Sequence, residues 1–352
     1  MVTRVVVCYT GGVGSQVIRL LADDPAFQVA GVLVHHEEKE GRDAGDLAGI
    51  DPIGVAATRD IGALVALRAD CMLWHGLTWE PQVVARFLAA GTNVYSGMGG
   101  WYLPGEPEHE LLAAACAEGG STFAAGGNIP GLISDVLPLF ISGYSGRVRF
   151  IRAWQSNYVP HYPSALQLQF GLGIGVEPDL TATEPSEVDK AWLWGIRQSA
   201  HLVGAGLGVS VTDVRLTNKE YAATPEDLEL SPSGLKVVKG TPAGVRWTYT
   251  AYTGDVPFFE LVNEQTVRLG LGEGWRASAD DPNWRLEVTG EPNIRATVTL
   301  PDEGEGVAPV SALNAARAVN FVPRLVAAPA GCLSVLDVAA PTAATHSFGT
   351  SP

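Results

Sequence analysis

The sequence predicts an α/β fold: a doubly wound parallel sheet at the N-terminus, joined to a C-terminal α+β domain with a mixed or antiparallel sheet. Three observations carry this prediction. Short apolar runs alternate with helical periodicity through the first ~130 residues. A glycine-rich turn separates the first run from the first helix. Beyond position 146 the runs lengthen and alternate polar with apolar residues, as strands with one covered face do.

The first run, Val5-Val6-Val7-Cys8, is short, unbroken and β-branched, as a strand buried on both faces requires. It leads into Thr10-Gly11-Gly12-Val13-Gly14, after which Val17, Ile18, Leu20 and Leu21 recur at helical spacing. Strand, glycine turn and helix open a dinucleotide-binding Rossmann unit, in which glycines admit a pyrophosphate to the helix N-terminus. Aligning Gly11 and Gly14 with the second and third glycines of that fingerprint puts Tyr9 at the first. A plain tight turn is the alternative reading.

Phe27 to Val34 reads as a second buried strand, ending at His35-His36-Glu37-Glu38-Lys39-Glu40-Gly41-Arg42. This point, ~20 residues past the turn, is where such a fold meets the adenosine ribose. An acid on the strand end favours NAD, whereas basic groups accept the 2′-phosphate of NADP. The strand end carries His35 and His36, with Lys39 and Arg42 beyond, so NADP is expected, with NAD as the alternative. A solvated charge run is the plainer reading of the same residues.

Ile53-Gly54-Val55 is expected as a short strand and Ile61 to Leu67 as a helix. Ala69 to Trp74 reads as a buried strand ending at His75-Gly76, and Pro81 to Ala90 as a helix. The strand from Thr92 ends at Ser96, the small polar end that this fold turns towards the nicotinamide. Leu111 to Ala117 is helical and Ser121 to Ala125 a strand. Gly126-Gly127-Asn128-Ile129-Pro130-Gly131 opens an apolar helix, Leu132 to Ile141. The later strands are expected at Arg147 to Trp154, Val209 to Leu216, Leu235 to Tyr252 with a turn near Pro242-Ala243-Gly244, Phe258 to Leu269, and Trp284 to Leu300. A helix from Val188 to Gly206 should cover their sheet. Ser311 to Ala327 is a last helix, with Pro323 as a kink or stop. The expected domains are 1–145 for dinucleotide binding and 146–308 for substrate binding and dimerisation. A helical segment, 309–338, packs back on the first domain, and 339–352 forms a loosely ordered tail rich in Ala, Pro, Thr and Ser.

The 352 residues suffice for two domains, each with its own core. Net charge is −15, with no basic run, which argues against nucleic acid and anionic membrane surfaces as partners. No leader is expected, and no apolar stretch approaches the ~18 residues of a bilayer span. Four scattered cysteines read as reduced thiols, and the location expected is cytoplasmic. The pair His35-His36 has the wrong spacing for a metal site, and no metal is expected.

Gly126-Gly127-Asn128-Ile129-Pro130-Gly131-Leu132-Ile133-Ser134-Asp135-Val136-Leu137-Pro138 resembles the domain-junction signature of the dihydrodipicolinate reductase-like group, which includes 2,4-diaminopentanoate dehydrogenases and native amine dehydrogenases. The glycine turn fits, as does Leu313 to Pro323 followed by Ala328-Pro329-Ala330-Gly331. The resemblance implies a homodimeric, NAD(P)-dependent oxidoreductase that moves hydride to or from a C=N bond. In the amine dehydrogenases, ammonia joins a small ketone or aldehyde and the imine is reduced. Cofactor contacts are then expected at Thr10, Gly11, Gly12, Val13, Gly14, His35, His36, Lys39, Arg42, His75, Ser96, Asn128 and Pro130. The alternatives are an imine or carbonyl reductase or a diamine or amino-acid dehydrogenase of the same fold, and a non-catalytic NADP-sensing protein.

The resemblance also implies a glutamate after the strand ending at Ser96, which stabilises the cationic iminium. Here Gly97 to Leu103 contains no acid, and the next are Glu106, Glu108 and Glu110. Glu106 and Glu108 are the catalytic candidates, and Glu110 suits the dipole of the helix that follows. All three are also what a helix N-terminus favours. His161, without the lysine of true dihydrodipicolinate reductases nearby, is a further acid–base candidate or a plain loop residue. Trp154, Gln155, Asn157 and Tyr158 are expected in the substrate pocket, where aromatic rings and amides suit a small ketone. Of Trp192 and Trp194, one should be core and the other face a partner or the pocket. A diamine or amino-acid substrate would need a carboxylate-binding Arg149, Arg152 or Arg197.

Overall fold

The computed structural model describes residues 2–179, 184–300 and 309–338. It forms two compact units: the described residues up to Asn128 with those from Val310 onward, and those from Ile129 to Pro309. The expected loose tail, 339–352, lies outside the described residues.

In chain order the first unit contains β1 (Thr3–Cys8), α1 (Gly12–Asp23), β2 (Phe27–Leu33), α2 (Ala44–Ala48), β3 (Ala57–Thr58), α3 (Ile61–Ala66), β4 (Cys71–Trp74), α4 (Pro81–Ala89), β5 (Asn93–Ser96), α5 (His109–Gly119) and β6 (Thr122–Ala125). A kinked helical segment, Asn128–Val136, leads into the second unit. That unit holds α6 (Leu137–Ser142), β7 (Gly146–Tyr158), α7 (Glu187–Leu207), β8 (Asp213–Ala223), β9 (Leu228–Leu230), β10 (Leu235–Val237), β11 (Pro242–Thr253), β12 (Val256–Thr266), β13 (Trp284–Glu291) and β14 (Ile294–Val298). The chain then returns to the first unit with α8 (Pro309–Ala327) and β15 (Gly331–Leu333).

The first unit is built on a seven-stranded sheet of order β15-β6-β5-β4-β1-β2-β3, parallel throughout. Its centre explains the unbroken apolar run in β1. Val5 and Val7 enter a core with Val17, Ile18 and Leu21 of α1 and Ala318, Phe321 and Val322 of α8. Val6 and Cys8 enter the opposite core with Val84, Phe87 and Leu88 of α4 and Leu112 and Cys116 of α5. Successive side chains thus serve two helical layers, the period-two rule of a strand buried on both faces.

The second unit carries a mixed sheet, β14-β13-β7-β12-β11-β8, in which only β7 and β12 pair in parallel. Helix α7 opens with a capping box between Ser186 and Asp189. Asp189 then anchors it to the sheet, accepting from Trp247 Nε1 and Lys219 Nζ, both at 2.8 Å. Burial works against the Asp189 carboxylate, yet the donors Lys219, Ser186 and Trp247 outweigh it and hold its pKa below the usual range.

Several elements differ from the sequence expectation. Ile53 to Val55 is not a strand: the amides of Ile53, Gly54 and Val55 donate to the Asp43 carboxylate at 2.9, 2.8 and 3.1 Å. The strand follows at Ala57–Thr58. Pro242-Ala243-Gly244 begins β11 rather than a turn, which falls at Val238 to Thr241. Gly244 is needed because a Cβ there would come within 2.8 Å of Leu271 and 2.9 Å of Trp275. The strand expected from Val209 starts at Asp213, since the Val209 amide closes the end of α7 on the Gly204 carbonyl. Trp284 to Leu300 is a hairpin, with the Gly290 amide held by Asn293 Oδ1 at its bend. Trp192 and Trp194 are both partly exposed, with Trp192 against Trp247 at 6.1 Å between centroids.

Candidate active site

The glycine turn shows what replaces its missing first glycine. Tyr9 itself adopts φ 75°, so the left-handed turn is made by a tyrosine, with its ring edge-on to Trp74 at 5.3 Å. Such a residue costs of the order of 1 kcal/mol and persists where its surroundings hold it. Gly14 is indispensable, since a Cβ there would stand 1.9 Å from the Tyr9 carbonyl oxygen. Around Gly11 a Cβ would meet nothing within 4 Å. Helix α1 starts there with no side-chain cap and no acid in its first turn, so its free N–H groups and positive dipole end suit an anion.

Beyond β2, His35, His36 and Arg42 are exposed, whereas Lys39 folds back and donates to Thr10 Oγ1 at 3.0 Å. His36 lies 3.8 Å from Glu38. Four basic side chains therefore follow the strand end, and one of them touches the turn.

At the ends of β4 and β5, His75 and Gly97 are packed so closely that a Cβ on Gly97 would lie 2.8 Å from His75 Nδ1. His75 Nε2 is shielded from solvent and has no hydrogen-bond partner among the described residues. Burial lowers the His75 pKa from 6.5 to about 4, so the ring is neutral at neutral pH. Ser96 is fully buried, and its hydroxyl is used by its own loop, donating to the Met98 carbonyl at 2.8 Å and accepting from the Met98 amide. Asn128 is buried at the end of the first unit, and Pro130 follows a cis bond at the start of the second.

The glycines after Ser96 serve packing. A Cβ at Gly99 would come within 2.4 Å of the Trp79 ring, and one at Gly100 within 2.6 Å of Phe123. Trp79 in turn donates from Nε1 to Glu108 Oε1 at 2.8 Å, which fixes that carboxylate at the start of α5. Glu106 lies one turn earlier, where its amide closes on the Leu103 carbonyl and its own carbonyl accepts from His109. Glu110 is exposed in the first turn of α5. The same loop and the segment after β15 enclose a cavity of about 270 Å³ lined by Trp101, Tyr102, Leu103, His109, Leu333 and Asp337, among others. Burial and then the charge of Asp337 raise the Tyr102 phenol above its ordinary value. Asp337 is an acid at this loop that the sequence did not single out, because the chain reaches it only by the return through α8 and β15.

In the second unit the strand register divides the expected pocket residues between two faces. Gln155 and Asn157 share one face with Asn263 and Gln265 of β12, while Trp154 and Tyr158 take the other. The guanidinium of Arg246 lies over the Trp154 ring at 4.8 Å and over the Trp275 ring at 4.2 Å. His161 is exposed in the loop after β7. Arg149 pairs with Glu291 and Arg152 with Glu260, so two of the three nominated carboxylate binders have acidic partners. Arg197 is exposed on α7. Among the described residues no group of three or more His, Cys, Asp or Glu side chains is placed to hold a metal, and no helix is long and apolar enough to cross a membrane.

Residues 132–351 match the C-terminal domain family of 2,4-diaminopentanoate dehydrogenase, and residues 3–78 match the dihydrodipicolinate reductase N-terminus. The chain belongs to the 2,4-diaminopentanoate and amine dehydrogenase family. It is 30% identical over 351 residues, 95% of each chain, to an amine dehydrogenase from Streptomyces virginiae. Its fold is shared with the amine dehydrogenase of Mycobacterium smegmatis (TM-score 0.75, 20% identity, 98% of this chain and 97% of that one). It is also shared with GenD2 of gentamicin A biosynthesis, solved with NAD (TM-score 0.51, 17% identity, 91% of this chain and 86% of that one). As a family member the protein is an NAD(P)-dependent oxidoreductase.

Proposed function

We propose that the protein is an amine dehydrogenase that joins a small ketone or aldehyde with ammonia and reduces the resulting iminium. The observation that carries this reading is the end-to-end match to the Streptomyces virginiae amine dehydrogenase. A carboxylate fixed by an indole in the loop after β5 supports it.

The dinucleotide would be held by Thr10 to Gly14, where the turn leaves open space beside Gly11 and the first turn of α1 carries no acid. His35, His36, Lys39 and Arg42 favour NADP over NAD through the 2′-phosphate. His75, Ser96, Asn128 and Pro130 complete the cofactor residues, with Ser96 acting by shaping its loop. The bound nicotinamide supplies hydride.

The chain's own contribution to the chemistry is electrostatic. Glu108, held by Trp79, relays a proton from the adding ammonia to the carbonyl oxygen, which leaves as water with a second proton from solvent. The carboxylate so regenerated stabilises the iminium cation, with Glu106 as its rival for the role. The pairing of Arg149 and Arg152 with glutamates favours a substrate without a carboxylate, and hence a ketone or aldehyde over an amino acid. A homodimer in the cytoplasm is part of the same reading.

The decisive assay follows NADPH and NADH oxidation with cyclic and aliphatic ketones, with and without ammonium. Turnover that requires ammonium supports the proposal; equal turnover without it leaves a carbonyl reductase. Glu108→Gln should lower kcat by at least about 10²-fold, and Glu106→Gln by less than about threefold. The reverse result moves the role to Glu106.

A further inference from the structure

The covered face of the second sheet changes character along the parallel pair β7 and β12. Ile151 stands beside Phe259 and Ala153 beside Leu261, as in any apolar core. The next two rows are amides, with Gln155 beside Asn263 and Asn157 beside Gln265. Gln155 and Asn263 are 0% exposed, Gln265 3% and Asn157 6%. Trp284 of β13 extends the first amide row on one side and Trp247 of β11 on the other.

These groups satisfy one another only in part. Asn263 Oδ1 accepts from Gln155 Nε2 at 3.3 Å and from Gln265 Nε2 at 2.7 Å. Asn263 Nδ2, Asn157 Oδ1 and Trp284 Nε1 are shielded from solvent without a hydrogen-bond partner among the described residues. A buried polar atom left unpaired forfeits its hydration without return, a cost that apolar side chains like those of the two preceding rows avoid.

We propose that this amide quartet is a polar subsite for substrate, and that it takes a neutral group able both to donate and to accept: a hydroxyl or a carboxamide. Such a group donates to Asn157 Oδ1 and accepts from Asn263 Nδ2. Charge argues for neutrality, because Lys219, the charge in the first row, is neutralised by Asp189 of α7 at 2.8 Å. A carboxylate placed among the amides would find the buried cation beside them, Arg276, already engaged with the carbonyls of Ser156, Ser278 and Ala279 rather than committed to offsetting its desolvation. The inference rests on the proposed function in treating the second unit as the substrate domain, and it narrows the substrate to a small ketone or amine bearing a second, uncharged polar group.

The test is calorimetric titration of the full chain in the presence of NADP+, with 2-pentanone, 5-hydroxy-2-pentanone and 4-oxopentanoate as probes. The expected result is that the hydroxyketone binds at least about tenfold tighter than 2-pentanone, and 4-oxopentanoate no tighter than 2-pentanone. In Asn157→Leu the hydroxyketone preference should disappear while 2-pentanone binding is kept. Asn157→Ala, which also removes the acceptor, serves the same end if the leucine variant does not fold. Equal binding of the two ketones, no binding of either, or an unchanged preference in the variants overturns the subsite and leaves the amides as hosts of internal water. A native chain that shows the preference yet no ammonium-dependent turnover keeps the subsite and discards amine dehydrogenation.

Discussion

Lys39 Nζ donates to the Thr10 hydroxyl at 3.0 Å, joining the segment after β2 to the glycine turn. The ammonium is therefore held between the two places where a dinucleotide's ribose phosphate and pyrophosphate would lie in this fold. A charge-assisted contact of this kind contributes about 1.5–3 kcal/mol, or roughly ten- to a hundredfold in affinity. Lys39→Ala should raise the Kd for NADPH by at least about tenfold and change that for NADH by less than about threefold, as read by fluorescence titration. Equal weakening of both would mean that Lys39 only positions Thr10.

Two glycines of the turn should respond in opposite ways to the same methyl group. Gly14→Ala drives a Cβ to 1.9 Å from the Tyr9 carbonyl, which is itself held in a left-handed conformation. The expected outcome is a loss of more than about 3 kcal/mol of stability, beyond the usual 1–3 kcal/mol of overpacking, seen as a large drop in Tm or insoluble protein. Gly11→Ala meets open space, so Tm should hold within about 2 °C while dinucleotide affinity falls by about tenfold. A Gly11→Ala protein that binds NADP(H) normally would remove the turn from the cofactor site.

Such contrasts show where the sequence is readable. Val5 to Cys8 announces β1 because a strand buried on both faces has no polar position to spare. The glycine turn is legible for the same local reason, yet Tyr9 looked out of place, since a tyrosine with positive φ is set by its packing against Trp74. Ile53 to Val55 looked like a strand because its apolar residues are local, while the acceptor of its amides, Asp43, lies ten or more residues away. Gln155 and Asn157 stood out as polar residues in a strand. Their partners Asn263 and Gln265 become visible only once the register of β7 and β12 is known, although the change from Phe259 and Leu261 to amides at every second position of β12 was the available signal.

The second sheet contains a charge pair whose removal should be asymmetric. Arg246 reaches Glu264 Oε2 from Nη2 at 2.6 Å and Nε at 3.0 Å, and Glu264, 1% exposed, also accepts from Ser156 Oγ at 2.7 Å. Arg246→Leu strands a buried carboxylate and should cost about 3–5 kcal/mol, measured by urea unfolding at neutral pH. Arg246→Leu with Glu264→Leu should recover at least half of that loss, because no buried lone charge is left behind; Glu220, the other partner of Arg246, is open to solvent. A double variant as unstable as the single one would show that the flanking indoles of Trp154 and Trp275, rather than the charge, depend on Arg246.

His75 should make the protein acid-sensitive in a defined window. Its pKa is about 4 in the folded chain against an ordinary 6.5, so the unfolded chain binds the proton first as pH falls. The stability contributed by the neutral ring is fully present above about pH 6.5 and is lost between there and about pH 4. The slope in that window approaches about 1.4 kcal/mol per pH unit, and falls short of it because part of the residue's surface meets solvent. His75→Asn removes the titration, so it should cost stability at pH 7 yet match or exceed the native chain near pH 4.5. Urea midpoints of the two proteins at pH 7, 6 and 5 should therefore converge. Parallel curves would show that the imidazole takes up its proton in the folded state as readily as in water, and that the packing of Gly97 against its ring does not exclude the charged form.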